Sequence, residues 1–224
     1  MDEAVARAIR EVADYTMVPW PCLEFTIESA FEAIDSGRGG DLVECGVWMG
    51  GSSFAMLLAQ RYRYGRIVKP VWMFDSFEGL PPVEERDGPA AARYQANTAS
   101  PLYFDNCRAP LPAVLDAVEK FGFAPDEAIV VPGWFNETVP GERAELAERG
   151  IGFLRVDCDW YEPVSYILDT LADLVPEGGR ILMDDYYAWD GCARATHDYL
   201  SRNDHCWRIF SIQHNSGAFM IKRA

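Results

Sequence analysis

Four aspartates lie in two short runs, Asp157-Cys158-Asp159 and Asp184-Asp185. Each run follows a short apolar segment, Phe153-Leu154-Arg155-Val156 and Arg180-Ile181-Leu182-Met183, with the length and composition of a buried strand. The interval between them suits a strand end, a helix and the return along a neighbouring parallel strand, so Asp157, Asp184 and Asp185 are expected to converge on one rim. Three carboxylates packed together with no Lys or His between them repel and raise one another's pKa. A bound cation removes that conflict, and an all-oxygen donor set selects a hard ion, Mg²⁺ first, then Mn²⁺ or Ca²⁺. The plainer alternative is that one member caps a helix and the others face solvent.

A second group of residues has the chemistry of nucleoside binding. Leu42-Val43 runs into Glu44-Cys45-Gly46-Val47-Trp48-Met49-Gly50-Gly51-Ser52-Ser53. Glycines 46, 50 and 51 between a strand and a helix let the backbone approach a ligand, and Ser52 is placed to cap the helix. The spacing is not GxGxxG, the pyrophosphate cradle of dinucleotide sites, so NAD is disfavoured; a nucleoside cofactor without phosphates needs no such cradle. The next strand, Val71–Phe74, ends at Asp75, where a carboxylate accepts hydrogen bonds from ribose hydroxyls or caps the turn. Nucleophile chemistry lacks its parts. Ser52-Ser53 is not in a G-x-S-x-G elbow, Cys158 sits among carboxylates that blunt a thiolate, and His197, His205 and His214 lie away from most strand ends.

The elements that must position these groups alternate. Helical spacing over the first 36 residues precedes a strand at Leu42-Val43, a helix over about Ser52–Arg63 and the strand Val71–Phe74. Then come a helix near Leu111–Phe121, a strand Ala128–Val131 running into Pro132-Gly133-Trp134-Phe135, and a helix after Pro140. The two aspartate-bearing strands follow, with a helix over about Pro163–Leu174 between them. This order implies right-handed crossovers and a largely parallel sheet covered on both faces. Trp207–Ile212 and Ala218–Lys222 around His214–Gly217 predict a hairpin that gives the sheet an antiparallel edge. Ser76–Pro110 is too long and too rich in Gly and Pro for a plain connection. Its Tyr94, Leu102, Tyr103 and Phe104 are too apolar for a loop that stays in water, so it is expected to act as a lid over the site, with a short helix at Ala90–Gln95.

Composition limits the partners. The 224 residues carry 20 Lys+Arg against 35 Asp+Glu, a net charge of -15. Such a surface repels phosphate backbones and anionic headgroups, so neither nucleic acid nor a membrane is an expected partner. No apolar run reaches the ~20 residues of a membrane span, and the first 15 residues lack the pattern of a signal peptide. The six cysteines show no CxxC spacing and read as reduced thiols of a cytoplasmic protein, with no zinc site.

ECGVWMGGSS (44–53), FDSFEGLPP (74–82), PGWFNETVP (132–140), RVDCDWYEP (155–163) and GGRILMDDYYAWDGCARA (178–195) resemble the macrocin O-methyltransferase family, in order over residues 16–200. The family methylates sugar hydroxyls on antibiotics such as tylosin, mycinamicin and novobiocin. The resemblance implies a Rossmann-like class I methyltransferase fold in a single domain over 1–224. Its mostly parallel seven-stranded sheet would end in an antiparallel hairpin, with 1–36 as a helical extension and 76–110 as the lid. It also implies S-adenosylmethionine, a required Mg²⁺ and a homodimer or larger assembly. By the same resemblance, Thr16 and Met17 cover the methionine part of the cofactor, and Glu44, Gly46, Ser52 and Ser53 form its pocket. Asp75, Ser76 and Phe77 clamp the ribose, and Gly133, Trp134 and Phe135 wall the adenine. Asp157, Asp184 and Asp185 match the metal ligands, Asp157 being also the candidate base, with Asp159 as its alternative. Cys158 and Trp160 depart from the family pattern beside the acceptor site. The expected reaction is methylation of one hydroxyl of a vicinal diol, most simply a deoxysugar on a glycosylated natural product. The alternatives are a catechol-type small-molecule methyltransferase and, outside enzymes, a non-catalytic nucleoside-binding protein.

Overall fold

In the computed structural model, residues 2–203 and 207–223 are described; His205 and Cys206 lie outside the described residues. The chain opens with α1 (Glu3–Glu11), whose first turn is capped by the Asp2 carboxylate, and α2 (Trp20–Asp35). It then enters the alternation expected: β1 (Asp41–Cys45), α3 (Gly51–Tyr64), β2 (Val71–Asp75), α4 (Gly88–Ala96) and a single turn α5 (Phe104–Cys107). There follow α6 (Leu111–Phe121), β3 (Ala128–Pro132), α7 (Phe135–Arg149), β4 (Ile151–Val156), α8 (Tyr161–Leu171), β5 (Arg180–Met183) and α9 (Asp190–Arg202). The hairpin β6 (Trp207–Ser211) and β7 (Ala218–Lys222) closes it.

The seven strands form one sheet in the order β3-β2-β1-β4-β5-β7-β6. The first five pair in parallel, and β7 joins β5 antiparallel. Two apolar layers cover the sheet. One is built on α1, α2 and α3 through Leu23, Ile27, Phe54 and Leu57; the other lies on the opposite face around Leu146, Ile167, Leu171 and Tyr199. Because both faces are covered, β1 and β4 are buried at every position. The order reverses between β1 and β4, and in open α/β sheets the crevice beyond that switch point is where ligands bind.

Two local expectations change. α7 begins at Phe135 rather than after Pro140, and carries Pro140 inside it. The ring removes one backbone hydrogen bond near the start of the helix, which tertiary packing of Val139 and Leu146 outweighs. Ser52 does not cap α3: Gly50, at φ 93°, occupies the cap, and Ser52 lies inside the first turn. Among the described residues no helix is long and apolar enough to cross a membrane. The five described cysteines are unpaired thiols.

Candidate active site

In-register pairing builds the site. Cys45 lies opposite Phe74 on one side and Val156 on the other, and Val156 lies opposite Met183. The next residue on each strand therefore falls in one row across the rim: Asp75, Gly46, Asp157, Asp184. Gly46 is required there. It has φ +90°, and a Cβ would sit 1.7 Å from the Asp157 carbonyl oxygen. The row floors a cavity of about 770 Å³, within the range of small-molecule sites.

One half of the cavity holds the acids. One carboxylate oxygen each from Asp157, Asp184 and Asp185 lies within 4.8 Å of the others. Neither Lys nor His stands among them, but Arg155 does. Its fully buried guanidinium donates through Nη2 to Asp157 Oδ2 at 2.8 Å and through Nη1 to Asp184 Oδ1 at 2.9 Å. Its Nε lies 3.0 Å from Glu44 Oε1, as a charge contact without hydrogen-bond alignment. Cys22 on α2 donates its thiol proton to the same Asp184 Oδ1 at 2.8 Å, and the Asp159 N–H donates to Asp185 Oδ2 at 3.1 Å. Burial, with the neighbouring carboxylates, pushes Asp157 and Asp185 well above the usual carboxylate range, although Arg155 pulls Asp157 back. Burial also raises Asp159 to about 7. Asp157 Oδ1, Asp184 Oδ2 and Asp185 Oδ1 receive no protein donor among the described residues. Three carboxylates on one wall, each with an oxygen that has no protein donor among the described residues, suit a hard divalent cation.

The other half is built on the glycine loop. The Asp75 carboxylate accepts from the backbone N–H groups of Val47 (2.6 Å) and Trp48 (2.9 Å) through Oδ2, and of Phe77 (2.7 Å) through Oδ1. It thus braces both loops while lining the cavity, and each of its oxygens has acceptor capacity for a further donor. Burial raises its pKa against those three hydrogen bonds. Thr16, Met17, Gly46, Ser52, Asp75, Ser76, Trp134 and Phe135 line the cavity, as do Asp157, Asp184 and Asp185. Four residues expected at the cofactor lie behind that wall. Glu44 is buried on β1, held by Arg155 and by the Ser53 hydroxyl, which donates to it. Burial lifts its pKa to about 7 while Arg155 and Ser53 oppose the rise. Phe77 packs into the core on the α1–α3 side, and the Gly133 N–H donates to the Asp75 carbonyl.

The N-terminal segment and the long connection close the cavity. A Cβ on Gly51 would meet Tyr15 O and Thr16 Cβ, both at 2.5 Å, so the glycine admits the segment that carries Thr16 and Met17. Tyr94, Leu102, Phe104 and Cys107 line the far side, and Tyr94, Trp160 and Trp189 pack edge to face. Trp160 stands behind this wall rather than in it: it is buried, and its Nε1–H donates to Pro81 O, anchoring the lid. Cys158 does line the cavity. Sequence reasoning missed Arg155, and it missed Asn136, Tyr187, Asn215 and Ser216 on the wall. The last two come from the hairpin turn, which pairing of β7 with β5 carries to the rim. Of the described histidines, His197 meets the Tyr186 hydroxyl, and neither it nor His214 lines the cavity.

A profile of the Macrocin-O-methyltransferase (TylF) family matches residues 8–220. The 8-demethyl-8-(2,3-dimethoxy-alpha-L-rhamnosyl)-tetracenomycin-C 4'-O-methyltransferase of Streptomyces olivaceus is 36% identical over 183 residues, 80% of this chain and 64% of that protein. The mycinamicin III 3''-O-methyltransferase of Micromonospora griseorubida is 31% identical over 186 residues, 81% of this chain and 67% of that protein. The chain thus spans about two thirds of the length of these relatives. The solved structure of the O-methyltransferase NovP superposes with a TM-score of 0.78 at 29% identity, covering 94% of this chain and 83% of that one. Its sheet order, its hairpin edge and these matches agree: the chain carries the Rossmann-like class I methyltransferase fold and belongs to the macrocin-O-methyltransferase family.

Proposed function

We propose that this chain transfers a methyl group from S-adenosylmethionine to one hydroxyl of a vicinal diol, with a divalent cation, Mg²⁺ first, held by Asp157, Asp184 and Asp185. The acceptor is a deoxysugar on a glycosylated natural product. The observation that carries the reading is that one cavity is lined both by the glycine loop with Asp75 and by the three carboxylates, which gives a nucleoside and a diol adjoining places to bind. The names of the relatives, sugar O-methyltransferases of tetracenomycin and mycinamicin, support a sugar hydroxyl of a glycosylated natural product as the acceptor.

In this reading Asp75 Oδ1 accepts from a ribose hydroxyl, and Trp134 and Phe135 flank the adenine. Thr16 and Met17 cover the methionine end. S-Adenosylmethionine supplies the electrophilic methyl. A divalent cation supplies Lewis acidity that lowers the pKa of a hydroxyl. Asp157 accepts the hydroxyl proton, directly or through water. Phe104 and Leu102 exclude water above the reacting groups and offer apolar surface to an aglycone.

The test has two arms. S-Adenosylhomocysteine, and not NADH, raises the melting temperature, and Asp75→Ala weakens that binding without unfolding the chain. Under saturating Mg²⁺ a glycosylated aglycone with a free vicinal diol is methylated, and chelation abolishes turnover while leaving cofactor binding. Full turnover in excess chelator would sink the metal reading, and efficient turnover of a simple catechol alone would move the acceptor to the catechol class.

A further inference from the structure

Arg155 has no place in the scheme above, yet it is a fully buried charge inside a central parallel strand, where apolar residues are the rule. We propose that Arg155 is a positioning residue that presets the carboxylates for the divalent cation; this rests on reading Asp157, Asp184 and Asp185 as its ligands. The guanidinium reaches acids on three neighbouring strands or their ends: Glu44 on β1, Asp157 after β4 and Asp184 after β5. It holds one oxygen of Asp157 and one of Asp184, so the carboxylates cannot swing freely, and the oxygens left without a protein donor are Asp157 Oδ1 and Asp184 Oδ2. Cys22 shares the hold on Asp184 Oδ1, and Ser53 secures Glu44 at the far end of the fork. A planar fork with fixed N–H directions does this; a flexible ammonium does not.

The competing account is that Arg155 only offsets buried negative charge. The two accounts differ in sign. A cation beside a cation site repels its ligand, so charge compensation alone makes Arg155→Met bind Mg²⁺ more tightly and leaves Arg155→Lys unchanged. Positioning makes both variants weaker.

The experiment titrates Mg²⁺ and Mn²⁺ into the full chain by calorimetry, with S-adenosylhomocysteine affinity and the melting curve measured on the same samples. Arg155→Lys is expected to weaken metal binding about tenfold or more, the scale of lost ligand orientation, while S-adenosylhomocysteine affinity stays within about threefold of wild type. Arg155→Met is expected to weaken it too. Metal affinity in Arg155→Lys equal to wild type, or tighter in Arg155→Met, overturns the proposal. Should neither variant fold, wild-type crystals grown with and without Mg²⁺ decide: Asp157 and Asp184 keep one rotamer in both if Arg155 presets them, and a swing on metal binding refutes it. A wild type that binds S-adenosylhomocysteine but neither metal removes the metal reading itself and this proposal with it.

Discussion

The floor of the cavity and the connection 76–110 on its wall, the proposed lid, are held by different physics. On the floor, parallel register places Asp75, Gly46, Asp157 and Asp184 in one row, and buried ion pairs fix the side chains. Nothing there moves without disturbing the central sheet. The lid has no such frame. Gln95 receives the Val83 N–H and donates to Pro81 O, Asn106 Nδ2 donates to Leu80 O, and the Tyr94 hydroxyl donates to Tyr103 O. These are side-chain-to-backbone bonds, each worth about 1 kcal/mol net. They hold α5, in which Phe104, Asp105, Asn106 and Cys107 all take positive φ, a conformation that costs non-glycine residues about 1–2 kcal/mol each. Leu102 at its edge is 68% exposed. The floor is held by the register of the sheet, and the long connection by separate side-chain-to-backbone bonds.

The largest effect should come from the floor's chemistry without its stability. Asp185→Asn is expected to lower turnover on the order of 10²–10³-fold, as loss of one preorganised electrostatic partner does. Its melting temperature stays level or rises, because the burial and the neighbouring acids that raise the Asp185 pKa no longer oppose folding. A variant equally crippled in both would mean that Asp185 is structural. Gly46→Ala should break the floor itself: the new methyl meets the Asp157 carbonyl, and denaturant titration should show a loss of roughly 3 kcal/mol or more with S-adenosylhomocysteine binding gone.

A smaller effect follows from Glu44, whose carboxyl is pushed to about 7 by burial. Below pH ~4.5 it is protonated folded and unfolded. Between there and about 7 only the unfolded chain releases the proton, so folding stability falls as pH rises, and above that window the contribution is flat. Wild type should therefore lose on the order of 1–3 kcal/mol relative to Glu44→Gln across that window, read by denaturant midpoints at several pH values. A rising difference would show that Arg155 outweighs burial. Smallest is the lid. Tyr94→Phe removes the bond to Tyr103 O and should cost about 1 kcal/mol at most, with faster proteolysis confined to 97–108 and unchanged S-adenosylhomocysteine affinity. A global loss of stability would erase the contrast between the two regions.

Much of the floor was legible because each strand ends where an apolar run meets a glycine or a carboxylate, and alternation of strand and helix leaves few ways to line up those ends. Arg155 was visible as a charge inside Phe153–Val156, but a pattern of hydrophobicity reads such a residue as facing water; only the pairing of Glu44 with Arg155 across β1 and β4 shows where its charge is met. Glu44 and Ser53 were assigned to the cofactor pocket by the family resemblance alone. Glu44 is buried with the rest of β1 and, like Ser53, does not line the cavity. The start of α7 was hidden by Pro140, since the rule that proline ends helices is local and the packing that overrides it is not. The long connection's place on the cavity wall, through Tyr94, Leu102 and Phe104, followed from its length and composition. Its conformation did not, because left-handed residues leave no periodic trace.

That handedness also governs how the sequence can change. At Phe104–Cys107 the choice of residue is limited by the shape of the backbone each side chain tolerates, beside contacts such as the Asn106 bond to Leu80 O. Substitution toward Gly, Asn or Asp lightens the turn, whereas Val, Ile or Thr crowd it whatever their affinity for an acceptor. A library at these four positions will therefore drift toward small and amide-bearing residues, and it will reshape the cavity only through Phe104 and Cys107, the two of the four that line it.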